Sequence, residues 1–276
     1  MGTEVSRCVC FCPPCRRRAD VVQLWDVSAP PAANPLRSLE EHSHEVRRKA
    51  PFARPRPENH TPCGAVQVYC VSWNLVTRDQ FLSASWDDTA RLWSTASPRS
   101  VRAFAEHAFC VYSAAWNPRS GCVFATASGD CSLKVWDARQ PYSAATLPHA
   151  GGGHELLTVD WNAHNEALVA TGGVDRAVRV WDLRAPASPL RALQGHSYAV
   201  RRVRWSPWAA DALLSASYDM TACLWDVAQE GGAPARRWEH HTEFVVGIDA
   251  SPLVEGVVAT CGWDGDVAIF PQTGQP

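Results

Sequence analysis

Residues 195–226 read GHSYAVRRVRWSPWAADALLSASYDMTACLWD. A segment of β-branched, aromatic and small apolar residues, Tyr198 to Trp205, is followed by a second, Ala212 to Ser217, and then by a turn holding Tyr218 and Asp219. Beyond the turn, Asp219, Thr221, Cys223 and Trp225 lie two residues apart, so a strand there carries all four on one face. The pairing of a turn Asp with an aromatic residue six positions later recurs at Asp87/Trp93, Asp130/Trp136, Asp175/Trp181 and Asp264/Phe270. Successive Asp residues are 43, 45, 44 and 45 apart.

That period, with short strands and a closing WD dipeptide, is the signature of a WD-repeat β-propeller. The spacing predicts an all-β propeller, incomplete if measured against the seven blades that resemblance to such families implies. It has four full blades, a three-stranded blade ending at Phe270, and an orphan strand pair around Val21 to Val27 and Leu36 to Leu39. Roughly two further repeats are expected before Val21.

Loop histidines test the repeat independently: His107 to Trp116, His196 to Trp205 and His241 to Ala250 each span nine residues. A turn carboxylate buried at the blade rim is tolerable only when hydrogen-bonded. In each repeat the loop His is its expected partner, with a strand hydroxyl bonding the Trp indole. The structural network is thus His107, Asp130 and Trp136; Asp175 and Trp181; His196, Asp219 and Trp225, with Ser215 or Ser217 as the hydroxyl; and His241 with Asp264. Phe270 has no indole donor, so the last network should be incomplete. His149 and His154 stand 12 and 7 residues before Trp161, and break the register. With these groups committed to the fold, no catalytic triad remains and no enzyme is expected.

The interval from His42 to Trp73 is 31 residues, an excess of 22. Removing residues 46–67, a segment rich in Pro and Arg, restores the nine-residue spacing. The expected organisation is a leader at 1–20, a propeller at 21–271 with a disordered insert at 46–67, and a tail at 272–276. Cys8, Cys10, Cys12 and Cys15 sit too close together for an ordinary zinc site, and no metal or cofactor is expected. With 26 basic and 28 acidic residues the surface carries no nucleic-acid footprint. No apolar run reaches 18 residues, so no membrane span is expected, and the eleven cysteines read as reduced thiols of an intracellular protein.

Several strings go beyond generic repeat filler: SASWDDTARLW (83–93), EHAFCVYSAAWNP (106–118), ATASGDCSLKVWD (125–137), GHSYAVRRVRWSP (195–207) and HHTEFVVGID (240–249). They resemble the peroxin-seven-type receptors for type-2 peroxisomal targeting signals, in their plant form, from about Val21 to Phe270. The resemblance implies a carrier that binds an N-terminal segment, Arg-Leu/Ile-x5-His-Leu, of cargo enzymes. It implies further that the carrier works with a co-receptor for C-terminal (type-1) signals and with peroxisomal docking proteins, cycling between cytosol and peroxisomal matrix.

Repeat geometry gives an independent place to look for such a ligand. The residues three and five after the loop His, and the one before the turn Asp, face one rim. Glu45, Tyr69, Trp86, Tyr112, Glu155, Leu157, Tyr218, Phe244 and Trp263 hold such positions, with Glu243 beside them; Arg201 and Val246 also fall there. Rings would receive leucines of an amphipathic helix and glutamates its Arg. Two other readings stay open. WDAR (136–139) and WDLR (181–184) resemble the box of cullin-type ubiquitin-ligase substrate receptors, and WDLR beside GHSYAV resembles histone-binding propellers, although no long N-terminal helix is visible.

Overall fold

The computed structural model describes residues 22–24, 37–39 and 67–272. Glu45, most of the insert at 46–67, the leader with Cys8 to Cys15, and residues 273–276 of the tail lie outside the described residues. All regular structure described is antiparallel β. The short strands β1 (Val22–Leu24) and β2 (Arg37–Leu39) pair with each other. Four sheets of four strands follow: β3 (Val68–Trp73), β4 (Gln80–Ser85), β5 (Ala90–Ser94) and β6 (Arg102–Phe104); then β7 (Val111–Trp116), β8 (Val123–Ser128), β9 (Leu133–Asp137) and β10 (Ser143–Leu147). The third comprises β11 (Leu156–Trp161), β12 (Leu168–Gly173), β13 (Val178–Asp182) and β14 (Arg191–Leu193), the fourth β15 (Val200–Trp205), β16 (Ala212–Ser217), β17 (Ala222–Asp226) and β18 (Arg236–Trp238). A three-stranded sheet closes the series: β19 (Val245–Ala250), β20 (Val257–Gly262) and β21 (Val267–Pro271). The partition is the one the Asp period predicts. The first strand of the fourth sheet begins at Val200 rather than Tyr198, because Ser197 and Tyr198 belong to the loop that presents His196.

Sheets stack by wedging one apolar side chain of each outermost strand, and of β2, against the next sheet. Leu39 packs on Phe81 and Trp93, and Leu193 on Leu213 and Trp225. The Phe104 ring meets Phe124 at 4.8 Å and Trp136 at 5.2 Å. Burying such a side chain contributes about 1.5–3 kcal/mol, so the seams between sheets are the core. In the last sheet Val267 and Ile269 are 67% and 71% exposed, whereas their counterparts Ala90 and Leu92, or Val178 and Val180, are buried. Among the described residues nothing covers that face.

The carboxylate networks form as the spacing predicts in the second, fourth and fifth sheets. His107 Nδ1 lies 2.8 Å from Asp130 and Nε2 2.7 Å from Thr126, to which Trp136 donates at 2.8 Å. His196 makes the same contacts to Asp219 (2.8 Å) and Ser215 (2.7 Å), and Ser215, not Ser217, accepts the Trp225 indole. His241 bonds Asp264 and Thr260 at 2.9 Å each, but the ring that follows is Phe270, which packs on Trp238 at 4.9 Å and donates nothing.

The third sheet solves the broken His register differently. Asp175 is held by Arg179 at 2.5 Å, four residues along, while Thr171 still accepts the Trp181 indole at 3.0 Å. Gly152 (φ +63°) passes over this pair so closely that a Cβ there would stand 2.9 Å from Arg179 Nη2. Gly152 stands 23 residues before Asp175, as the loop His does before its Asp in the other sheets, so the Arg179 guanidinium fills the space that an imidazole takes elsewhere.

Arg179→Met leaves the Asp175 carboxylate without its cation, and we expect it to lower the unfolding free energy by about 2–3 kcal/mol in denaturant titration. Arg179→Lys should recover part of the loss, since it keeps the charge but not the planar fork.

Burial opposes a charge on His196, but its hydrogen bond to Asp219, helped by Cys223, raises its pKa from 6.5 to about 9. A raised folded-state pKa gives stability that is fully present below the unfolded value and is lost as pH climbs through the folded value. The thermal-midpoint gap between the protein and His196→Asn should thus be widest below about pH 6.5 and shrink toward pH 9 and above. A gap independent of pH would contradict this assignment.

Candidate functional site

The face at the turn end of the blades is built by one repeated irregularity. In each of the five first strands the pairing with the second strand skips a residue: Tyr69, Tyr112, Leu157, Arg201 and Val246. These are the positions five after the loop His, or their equivalents. A β-bulge leaves its extra residue out of the ladder and re-aims its side chain, so each blade offers one side chain that ordinary alternation would not.

A second contact fixes the neighbouring positions. The N–H of the residue before each turn Asp donates to the strand-entry carbonyl: Gly129 to Cys110 at 2.9 Å, and Val174 to Glu155, Tyr218 to Ala199 and Trp263 to Phe244 at 3.0 Å each. In the first full sheet Trp86 donates to Gln67 at 3.0 Å. The position that spacing assigns to Glu45 is thus held by Gln67. Glu45 itself lies outside the described residues.

Two aromatic groups result. Tyr69 stacks on Trp86 with centroids 5.2 Å apart and meets Tyr112 edge-on at 5.4 Å. Tyr218, Phe244 and Trp263 form the other, with separations of 5.0, 5.2 and 6.2 Å. The Tyr112 hydroxyl donates to Glu155 Oε2 at 3.0 Å, joining a carboxylate to the first group. Burial pushes the Tyr69 phenol up to about 12 despite Arg201. Burial, with the Glu155 charge beside it, raises Tyr112 further still. Both phenols therefore keep their protons, and Tyr112 can serve Glu155 only as a donor. The second oxygen of Glu155 stays available to a cation.

The remaining predicted residues divide. Leu157 and Val246 are each 8% exposed and support the face from beneath. Glu243 is exposed beside Phe244, and Trp263 is 64% exposed. Arg201 is buried, its guanidinium carbon 5.5 Å from the Tyr69 centroid, so the floor of the face carries a stacked cation that the acidic reading did not foresee.

Sequence reasoning missed two rings. Phe109 lies directly against Gly129 and beside Tyr112, and Tyr198 is 63% exposed. Both stand two residues after a loop His, and their carbonyls accept from Ser128 and Ser217; that shared offset was the signal that could have found them. The arginines of the WDAR and WDLR strings have a local use: Arg139 and Arg184 grip their own Asp137 and Asp182 at 2.6 and 2.7 Å on the exposed surface. Among the described residues no cluster of His, Cys, Asp or Glu could hold a metal ion, and no helix is long and apolar enough to cross a membrane.

Comparison with known proteins agrees with this geometry. The family pattern "WD domain, G-beta repeat" matches residues 58–94, 98–137, 145–182 and 187–226. The last three-stranded sheet lies beyond these matches but repeats their His–Asp–Thr network. The chain is 48% identical over 255 residues to Peroxisome biogenesis protein 7 of Arabidopsis thaliana, covering 92% of this chain and 73% of that protein. It is 47% identical over 235 residues to the Peroxisomal targeting signal 2 receptor of Dictyostelium discoideum (85% and 67%), and 39% identical over 228 residues to the human receptor of that name (82% and 62%). With bladed sheets, a repeated Asp-centred network and two such relatives matched over at least two thirds of their length, the chain belongs to the WD-repeat family of peroxisomal targeting signal 2 receptors.

Proposed function

We propose that the aromatic face binds the N-terminal type-2 targeting signal of peroxisomal cargo enzymes as an amphipathic helix. The chain then acts as a carrier, making and breaking no bond, that joins a co-receptor for C-terminal signals and peroxisomal docking proteins and cycles between cytosol and peroxisomal matrix. The name of the Dictyostelium and human relatives supports the class of ligand. The observation that carries the binding mode is the Tyr112–Glu155 hydrogen bond, which sets a carboxylate at the edge of a group of rings.

The signal's own spacing suits two apolar anchors with a charge beside one of them. In Arg-Leu/Ile-x5-His-Leu the two apolar residues are seven apart, as are Arg and His, so on a helix each pair shares a face, roughly 10 Å apart along the axis. One leucine lies on Tyr69, Trp86 and Tyr112, and its neighbouring Arg reaches Glu155. The other lies on Tyr218, Phe244 and Trp263, bringing the His toward Glu243. The signal thus runs with its N-terminus over the second and third sheets.

Titration of the chain with a helical signal peptide, and with the same peptide carrying Glu for Arg, tests the reading. The native peptide should bind at least about tenfold more tightly, since a charge-assisted hydrogen bond contributes about 1.5–3 kcal/mol. Equal binding of both, or of neither, overturns it. Glu155→Lys should reverse the preference, whereas Arg184→Ala should leave it unchanged; loss of peptide affinity on changing Arg184 would favour a different use of the surface.

A further inference from the structure

Beneath the face, the first strands carry a second level of side chains. Level with one another stand Cys70, Ser113, Thr158, Arg202 and Gly247, each the residue at which pairing resumes after the bulge. Four of the five are small. Ser113 and Thr158 use their hydroxyls on the next strand, accepting from Val159 at 3.4 Å and Val203 at 3.2 Å. Arg202 is the exception, and the small neighbours leave it room to cross. Its Nη1 stands 3.7 Å from Cys70 Sγ, a contact between residues 132 apart in sequence that joins β15 to β3. Burial would push the Cys70 thiol up, yet the guanidinium of Arg202, with further hydrogen bonds and Arg204, draws it below the usual thiol value.

The residue preceding each partner belongs to the face. Tyr69 precedes Cys70 and Arg201 precedes Arg202, and these two also meet, as the stacked cation over the Tyr69 ring. Bulges split each pair, one side chain going to the face and the next to the interior. Further along β15, Arg204 is tied to Asp160 at 3.1 Å and Asp249 at 3.3 Å, which fixes the strand that carries Arg202 against both its neighbours.

We propose that Arg202 is a positioning residue: through Cys70 it sets where Tyr69 stands relative to Arg201, and so registers the first aromatic group against the strand that leads to the second. The geometric part stands on the contacts above, and its effect on affinity rests on the signal-peptide reading.

The chain has 5 tyrosines, so carbon-13 labelling of tyrosine gives a countable spectrum in which Tyr69 reports the face and exposed Tyr142 reports that the variant is folded. Arg202→Met should move the Tyr69 ring resonance, leave Tyr142 in place and weaken a helical Arg-Leu-x5-His-Leu peptide about tenfold, with Arg202→Lys recovering part of the loss. Cys70→Ala should do the same, although it also removes the thiol's contact to the Ala114 carbonyl at 3.6 Å, and the double variant should be no weaker than Cys70→Ala alone, because the Arg202–Cys70 contact is already gone there. An unmoved Tyr69 resonance, or losses that multiply to about a hundredfold in the double variant, overturns the proposal. If the unaltered chain binds no peptide while the Tyr69 resonance still shifts, positioning by Arg202 holds and the signal-peptide reading falls.

Discussion

Strand alternation is broken once in each first strand, always one residue inside its start, and the character of the whole face depends on that break. A strand without a bulge sends successive side chains to its two faces, which in this molecule are the seams between sheets. The extra residue escapes the seams, and Tyr69, Tyr112, Leu157, Arg201 and Val246 are available to build a surface. The hydrogen bond from the turn residue to the strand-entry carbonyl, present in all five sheets, holds Trp86, Tyr218 and Trp263 beside them. The face is therefore a consequence of backbone pairing, and its chemistry can vary from blade to blade without touching the core.

The core tolerates little such variation, because every turn brings a carboxylate into a buried place. The second, fourth and fifth sheets answer with histidine, the third with Arg179 beside a glycine turn, and in the first Thr89 donates to Asp87 through its N–H and its hydroxyl. In each case the carboxylate is hydrogen-bonded, which is what the cost of burying an unsatisfied charge requires. In these networks the His, Asp, Ser and Thr side chains hold the fold together. On the turn-end face Glu155 is the carboxylate tied to a ring, through the Tyr112 hydroxyl.

Local spacing made most of this readable in advance. Asp-to-aromatic intervals located each sheet, and counting from the loop His or inner-strand Trp found Tyr112, Glu155 and Phe244. Features that depend on two distant segments meeting were not readable: the crossing from Arg202 to Cys70, the burial of Arg201 on Tyr69, and the Asp160–Arg204–Asp249 bridge each join different sheets. Arg179 was hidden for another reason. It sits where Lys134 and Cys223 stand in other repeats, so nothing in its own position marks it as the partner of Asp175. Phe109 and Tyr198 were missed because the counting rule started one residue too late.

The central claim is that bulge and turn residues together form one continuous surface for a helical segment. Placing a photo-reactive phenylalanine analogue at position 112, 218 or 208, then mapping cross-links to a type-2 signal peptide, tests it most directly. The account predicts that position 112 labels the peptide near its N-terminal Arg, position 218 labels it near its C-terminal Leu, and position 208, in a turn at the other end of the strands, does not label it. Labelling from 208, or labelling of one and the same peptide residue from both 112 and 218, would contradict it.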